Sequence, residues 1–180
     1  MEVGLEVGTV RLEPHNPIWE ELAKEMIVTL HKILGEDAKD IQHVGSTAIK
    51  TIKAKPIVDL AVAVENLDIA LKHKDELEKN GIHYVGEINK GQVMCDIGNY
   101  DANVRTHHVH FVIANSTEWK EYLNMRDYLN AKPEIAAEYA HIKEMSAVKY
   151  GNDRKEYSKA KNDIIKRILK EAEEWRKTEA

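Results

Sequence analysis

The chain has 180 residues, 43% of them apolar and 32% charged, which is the length of one domain, or of one domain with a helical appendix, and enough apolar material for a sizeable core. A net charge of −5 gives no general attraction to nucleic acid, and the single cysteine, Cys95, excludes an intramolecular disulfide framework and fits a reducing cytoplasm. No apolar run approaches the roughly 20 residues that span a bilayer, and the N-terminus lacks the basic and apolar regions of a secretory signal, so a cytoplasmic location without membrane contact is expected.

In chain order, residues 1–9 read as a loose lead-in and 10–12 as a short edge strand. Asn16-Pro17 combines a cap with a first-turn proline. Trp19, Leu22, Ala23, Met26, Ile27, Leu30, Ile33 and Leu34 then recur at helical spacing, so an amphipathic helix is expected over 17–34, stopped by Gly35. Residues 39–44 and 57–64 are expected strands, and 67–80 a helix stopped at Gly81. Short strands follow at 83–86, 93–97 and 109–113, the last after a polar loop at 99–106; strands in succession joined by short turns predict an antiparallel portion of a mixed sheet. After Asn115 the composition turns helical. Ser116 caps one helix, Pro133 opens a second to about residue 150, and Tyr157, Ala160, Ile164, Ile168 and Leu169 mark a third to about 175. The expected architecture is therefore α+β: a mixed sheet with packed helices over 1–115, then a three-helix segment over 116–180.

The stretch His43–Leu60 carries the densest signal. Gly45 permits a tight turn and a close backbone approach to a ligand. Ser46 and Thr47 are N-cap residues, and a helix start offers free N–H groups to an anion. Lys55-Pro56 leads into an apolar strand with one acid in it, Asp59, which is costly unless paired or metal-bound. These residues resemble the GrpB family, whose pattern is His-Val-Gly-Ser-Thr-Ala, a short spacer, then Lys-Pro-Ile-x-Asp; the chain has it at 43–48 and 55–59. Arg11, Glu13, Asn16-Pro17 and Trp19 extend the resemblance, as do Arg126-Asp127-Tyr128-Leu129 and the region of Tyr139. More distantly, Gly-Ser followed by an acid on the next strand is similar to the nucleotidyltransferase superfamily that includes DNA polymerase beta, which implies a nucleotidyltransferase-like fold. That superfamily has Asp-x-Asp, whereas this chain has Ala61 in the second position, a departure that bears directly on two-metal catalysis.

A second cluster is Arg105-Thr106-His107-His108-Val109-His110. On a strand, His108 and His110 share a face, and two imidazoles so placed can ligate one divalent ion. The family pattern Arg-x-x-His-x-His matches at Arg105, His108 and His110, and the resemblance implies that the histidine pair takes over ligation lost at Ala61. The alternative is a set of hydrogen-bonded histidines with no ion. The candidate metal ligands are thus Asp59, His108 and His110, for Mg, Mn or Zn, with imidazole favouring the transition metals over Mg. His43, Gly45, Ser46, Thr47, Lys55 and Arg105 are the candidate ligand and phosphate contacts, and Asp59 is the candidate catalytic residue. Asp96 is a further acid near the histidines, alternatively a plain strand-end carboxylate. His107 points away from the pair. The basic residues of 154–170, Lys161 among them, read as a solvated helix face rather than a nucleic-acid surface.

Three functions compete. One is binding of a nucleotide or other phosphorylated small molecule, with metal-dependent nucleotidyl or phosphoryl transfer, a chemistry that needs charge neutralisation and alignment. A second is a binding or folding-assistance module without catalysis; the resemblance implies this too, since GrpB-like domains occur fused to dephospho-CoA kinase. The third is metal-dependent hydrolysis through a histidine-bound water. Substrate and oligomeric state are left open.

Overall fold

The computed structural model describes residues 3–179. Helix α1 (Ile18–Leu34) starts where the Asn16 side chain accepts a hydrogen bond from the Ile18 N–H at 3.1 Å and ends at Gly35, whose φ is +56°. It is followed by strand β2 (Ala38–Val44), a single 3-10 turn (Ser46–Ala48) and strand β3 (Val58–Val64). The expected helix over 67–80 forms as two short pieces, α2 (Asp68–Lys72) and α3 (Lys74–Lys79). They part at His73, whose ring nitrogen lies 2.7 Å from Asp37.

Strands β4 (His83–Asn89), β5 (Gln92–Asn99) and β6 (Val104–Ile113) complete the meander. The sheet runs in the order β2-β3-β6-β5-β4, with β3 and β6 parallel and the other neighbours in that order antiparallel. The polar stretch 99–106, expected as a loop, keeps a turn only at 100–103 and is strand at its two ends, because side chains there find partners across the hairpin. Arg105 donates to Asp96 at 2.9 Å, and the Thr106 hydroxyl donates to the Ile97 carbonyl. The N-terminal expectation also shifts: strand β1 (Leu5–Glu6) pairs antiparallel with β6 at Arg105 and Val104, and residues 10–12 form no strand.

Strand β3 is buried on both faces, which is why its sequence runs continuously apolar instead of alternating. One face, with Leu60 and Val62 and the β6 residues Val109 and Phe111, packs under α1 through Trp19 and Leu30. The other face is built of small residues, Ala61 and Ala63, beneath Trp119 of helix α4 (Thr117–Ala131). Helices α5 (Pro133–Tyr150), α6 (Arg154–Lys159) and α7 (Asn162–Glu179) follow, so the third expected helix is split at Ala160-Lys161. The helical segment shares a core with the linker ahead of β3: Ile49 and Ile52 pack with Leu129, Ile164 and Ile168. That linker is the floor on which the helices close over the α4 side of the sheet. No helix is long and apolar enough to cross a membrane among the described residues.

Candidate functional site

Alternation along β3 and β6 decides what meets at the α4 face. The parallel register sets Asp59 beside His108 and Ala61 beside His110. Both rings therefore turn to the same side as Asp59, as the His-x-His spacing predicts. His108 Nδ1 lies 3.2 Å and His110 Nε2 3.3 Å from a single oxygen, Asp59 Oδ1. Ala61, fully buried, sets a methyl group beside His110 and no second acid. Gly45 closes the site from the turn after β2. Its φ is +70°, and a Cβ there would sit 2.6 Å from Asp59 Oδ2. The backbone of the turn and the carboxylate are thus in direct contact, which requires glycine on both counts.

The imidazoles are themselves held. Gln92 of β5, buried, places its amide 3.0 Å from His110 Nδ1 and also bonds the Tyr122 hydroxyl of α4. With the amide nitrogen toward His110 the proton of that ring is on Nε2 and is donated to Asp59; with the amide turned over, Nε2 is free as a ligand. Burial alone would raise the Asp59 carboxyl. The hydrogen bonds and charges of His108 and His110 outweigh it and hold the group well below the usual carboxylate range. Asp59 keeps a quarter of its side chain exposed, so the acid faces both the rings and open space.

That space is a cavity of about 380 Å³, lined among others by Gly45, Ser46, Lys55, Asp59, Gln92, Tyr122, Tyr139 and Lys161, with Glu118 and Glu121 of α4 on its wall. One oxygen of Asp59 and two ring nitrogens offer three ligand atoms within 4.8 Å of one another. A carboxylate and two imidazoles suit Zn, Mn, Fe or Ni, and the cavity leaves room for further ligands, so these residues fit a divalent ion.

The structure brings together Gly45, Ser46, Lys55, Asp59, His108 and His110. It turns the remaining candidates elsewhere. His43 pairs across the sheet with Leu60, so its ring faces the α1 side, where Nε2 lies 2.9 Å from the Thr47 hydroxyl. Thr47 is buried in that contact. Burial lowers His43 to about 4, and the same holds for His107 on the same face. Arg105 sits at the start of β6, bonded to Asp96 and stacked on the Tyr100 ring at 3.7 Å, so neither it nor Asp96 faces the cavity with a free charge.

Several cavity residues escape sequence reasoning. Lys161 lies inside a run that reads as a solvated face. Gln92, Tyr122, Glu118 and Glu121 carry no local signal. Lys143, which does not itself line the cavity, does carry a signal. The buried positions of α5 are Ala136, Tyr139, Lys143 and Ser146, so a lysine stands in the inward stripe of that helix.

Residues 9–171 match the family model described as GrpB protein. Among curated relatives, the glutamate-rich protein GrpB of Alkalihalophilus pseudofirmus is 36% identical over 94% of this chain and 99% of its own length. The YqkA protein of Bacillus subtilis is 32% identical over 91% of this chain, which spans 47% of that protein. Among solved structures, GrpB from Enterococcus faecalis superposes with a TM-score of 0.82 at 33% identity, covering 90% of this chain and 96% of that one. The Cid1 poly(U) polymerase with Mg and 3'-dATP bound superposes with a TM-score of 0.55 at 16% identity, over 83% of this chain and 49% of that one. The likeness to Cid1 identifies the fold as nucleotidyltransferase-like; the family model, with the GrpB proteins of Alkalihalophilus pseudofirmus and Enterococcus faecalis, places this chain in the GrpB family.

Proposed function

We propose that the cavity binds a nucleotide or other phosphorylated small molecule together with one divalent ion held by Asp59, His108 and His110. The observation that carries this reading is the convergence of two imidazoles on one carboxylate oxygen at the wall of a cavity that Gly45, Ser46 and Lys55 also line. When bound, the ion would offset phosphate charge and polarise a phosphoryl oxygen. Lys55 would add positive charge, and Ser46 beside it would offer a hydroxyl to the phosphate.

Ala61 limits the chemistry open to a bound ligand. A second ion needs a second bridging carboxylate, and position 61 offers a methyl group. One-ion binding, with nucleotidyl or phosphoryl transfer depending on that ion alone, is therefore the form of the enzyme reading. A non-catalytic module is the second reading. It is favoured by Ala61 and by the dephospho-CoA kinase of Mycobacterium leprae, 26% identical over 89% of this chain, which spans 45% of that protein.

Calorimetric titration of Zn²⁺ or Mn²⁺ into chelator-treated protein tests the ion. Saturable binding of one equivalent by wild type and its loss in the His108→Ala, His110→Ala double variant is the expected result; indistinguishable isotherms would remove the metal reading. Nucleotide thermal shifts with and without the ion test the ligand. Product formation from a nucleoside triphosphate separates enzyme from module.

A further inference from the structure

Four cations come together from separate parts of the chain. Lys55 belongs to the linker before β3, Lys143 to α5, Arg154 to α6, and Lys161 to the break between α6 and α7. Lys55 and Lys161 line the cavity beside Ser46 and Tyr139. Their ammonium groups lie over one aromatic ring, that of Tyr157, at 5.7 and 4.0 Å from its centroid. Lys143 is 1% exposed and donates to the Lys53 carbonyl at 2.9 Å. Among the described residues, Asp59 is the one acid whose charge acts on both Lys55 and Lys161, and it already holds two imidazoles.

Such an arrangement is unfavourable in the free protein. Desolvated cations without counter-ions cost stability. Burial is the largest influence on Lys55 and Lys161 and brings them to about 8 and about 7; the neighbouring charges of Arg154 on both, and of Lys55 on Lys161, act in the same direction, while Asp59 opposes them. Lys143 is lowered well below the usual lysine range, first by burial and then by Lys161 and Lys55, with Asp59 and Glu144 opposing more weakly. Net charge does not explain the gathering, because the chain as a whole is acidic. An anion entering the cavity would supply the missing partner.

We propose that Lys55 and Lys161, with Lys143 and Arg154 behind them, form a subsite for the phosphate chain of an oligophosphate, a pyrophosphate or longer, which fills whether or not an ion is held at Asp59. The inference rests on the reading that the cavity takes a phosphorylated ligand, and it assigns which residues hold the phosphates. A chain of phosphates can meet both ammonium groups across the Tyr157 ring. The helical segment then does more than cover the sheet: the interruption at Ala160-Lys161 delivers a ligand contact that a continuous helix would place elsewhere.

The test uses the full chain in EDTA, with inorganic pyrophosphate, tripolyphosphate and orthophosphate as calorimetric probes. Wild type is expected to bind the two oligophosphates saturably and orthophosphate at least tenfold more weakly. Lys161→Met should weaken pyrophosphate binding at least tenfold while raising the melting temperature of the ligand-free protein, a pairing that a merely structural lysine would not give. Lys161→Gln and Lys55→Met serve the same purpose should the first variant fold poorly. Binding near pH 8 should also take up protons, seen as a heat difference between HEPES and Tris, because the entering anion raises lysines that Tyr139, Tyr157, Arg154 and Asp59 surround. Absence of saturable pyrophosphate binding by wild type, or equal affinity in folded Lys161 and Lys55 variants, overturns the proposal. Zinc titration of Lys161→Met keeps the two readings apart. Retained zinc binding with lost pyrophosphate binding in that variant supports the lysine subsite, and a wild type that binds pyrophosphate but no zinc removes the metal reading alone.

Discussion

The two faces of the sheet treat histidine differently. On the α1 face, His43 and His107 lie among apolar side chains, and burial lowers each to about 4. They are neutral packing residues near pH 7, one bonded to Thr47 and the other to Thr106. On the α4 face, His108 and His110 share the oxygen of a carboxylate that reaches a cavity. Adjacent residues on one strand, His107 and His108, thus fall into opposite chemistry through the two-residue period of the strand. What separates a site from a core here is the acid and the open volume, since buried histidines occur on both sides.

The largest expected effect comes from closing the α4 face. Gly45→Val adds a branched side chain where φ is +70° and a Cβ would already meet Asp59 Oδ2 at 2.6 Å. Backbone strain and overpacking together should cost about 3 kcal/mol. Urea denaturation measures that loss, and zinc titration of the folded fraction should show no binding, because the carboxylate must move. A variant as stable as wild type with unchanged zinc affinity would mean that the turn and the acid are not coupled.

The α1 face should reveal itself in acid. His43 and His107 are neutral in the folded state, while in the unfolded chain each takes a proton as pH falls below the ordinary 6.5. Between pH 6.5 and about 4 the unfolded state binds more protons, so stability falls as pH falls through that window, and the penalty is absent above it. The shift corresponds to at most about 3 kcal/mol per ring. Urea midpoints at pH 7 and 4.5 should therefore differ by less in His107→Gln than in wild type. An unchanged difference would show that His107 does not titrate in this way.

A smaller effect tests the support behind the α4 face. Gln92→Leu removes the amide that bonds His110 Nδ1 and Tyr122. Losing such an outer partner typically weakens metal binding by about 10- to 100-fold, and zinc affinity should fall within that range while His108 and Asp59 remain. Unchanged affinity would indicate that β-strand placement alone orients the ring.

How far the sequence reveals this depends on distance along the chain. Asp59, Gly45 and the pair His108/His110 are legible, because each follows from local periodicity or turn chemistry and the parallel pairing then joins them. Nearness to Gly45 suggests His43 and Thr47 for the site, yet parity argues otherwise: Val44 stands beside Asp59, so His43 must face the other way. The lysine wall is hidden for a different reason. Lys55, Lys143, Arg154 and Lys161 meet only once three helices have packed over the linker. Exposed and buried lysines look alike in a charged run; only the place of Lys143 in the inward stripe of α5 distinguishes it.

The smallest expected effect concerns Arg105, which the family pattern groups with the two histidines. It shares their strand but stands at the far end of it. Its guanidinium donates to Asp96 at 2.9 Å and covers the Tyr100 ring at 3.7 Å, and only about an eighth of its side chain is exposed. A cation so paired has no free charge to offer a phosphate, unlike Lys55 and Lys161. Arg105→Gln should consequently leave zinc and pyrophosphate affinity within about twofold of wild type, a difference of less than about 0.5 kcal/mol. Its cost should appear in stability instead, about 2 kcal/mol by urea denaturation, because Asp96 is left partly buried without its charged partner. A tenfold loss of pyrophosphate affinity at full stability would reverse that assignment, returning Arg105 to the ligand site and extending the site along the whole of β6.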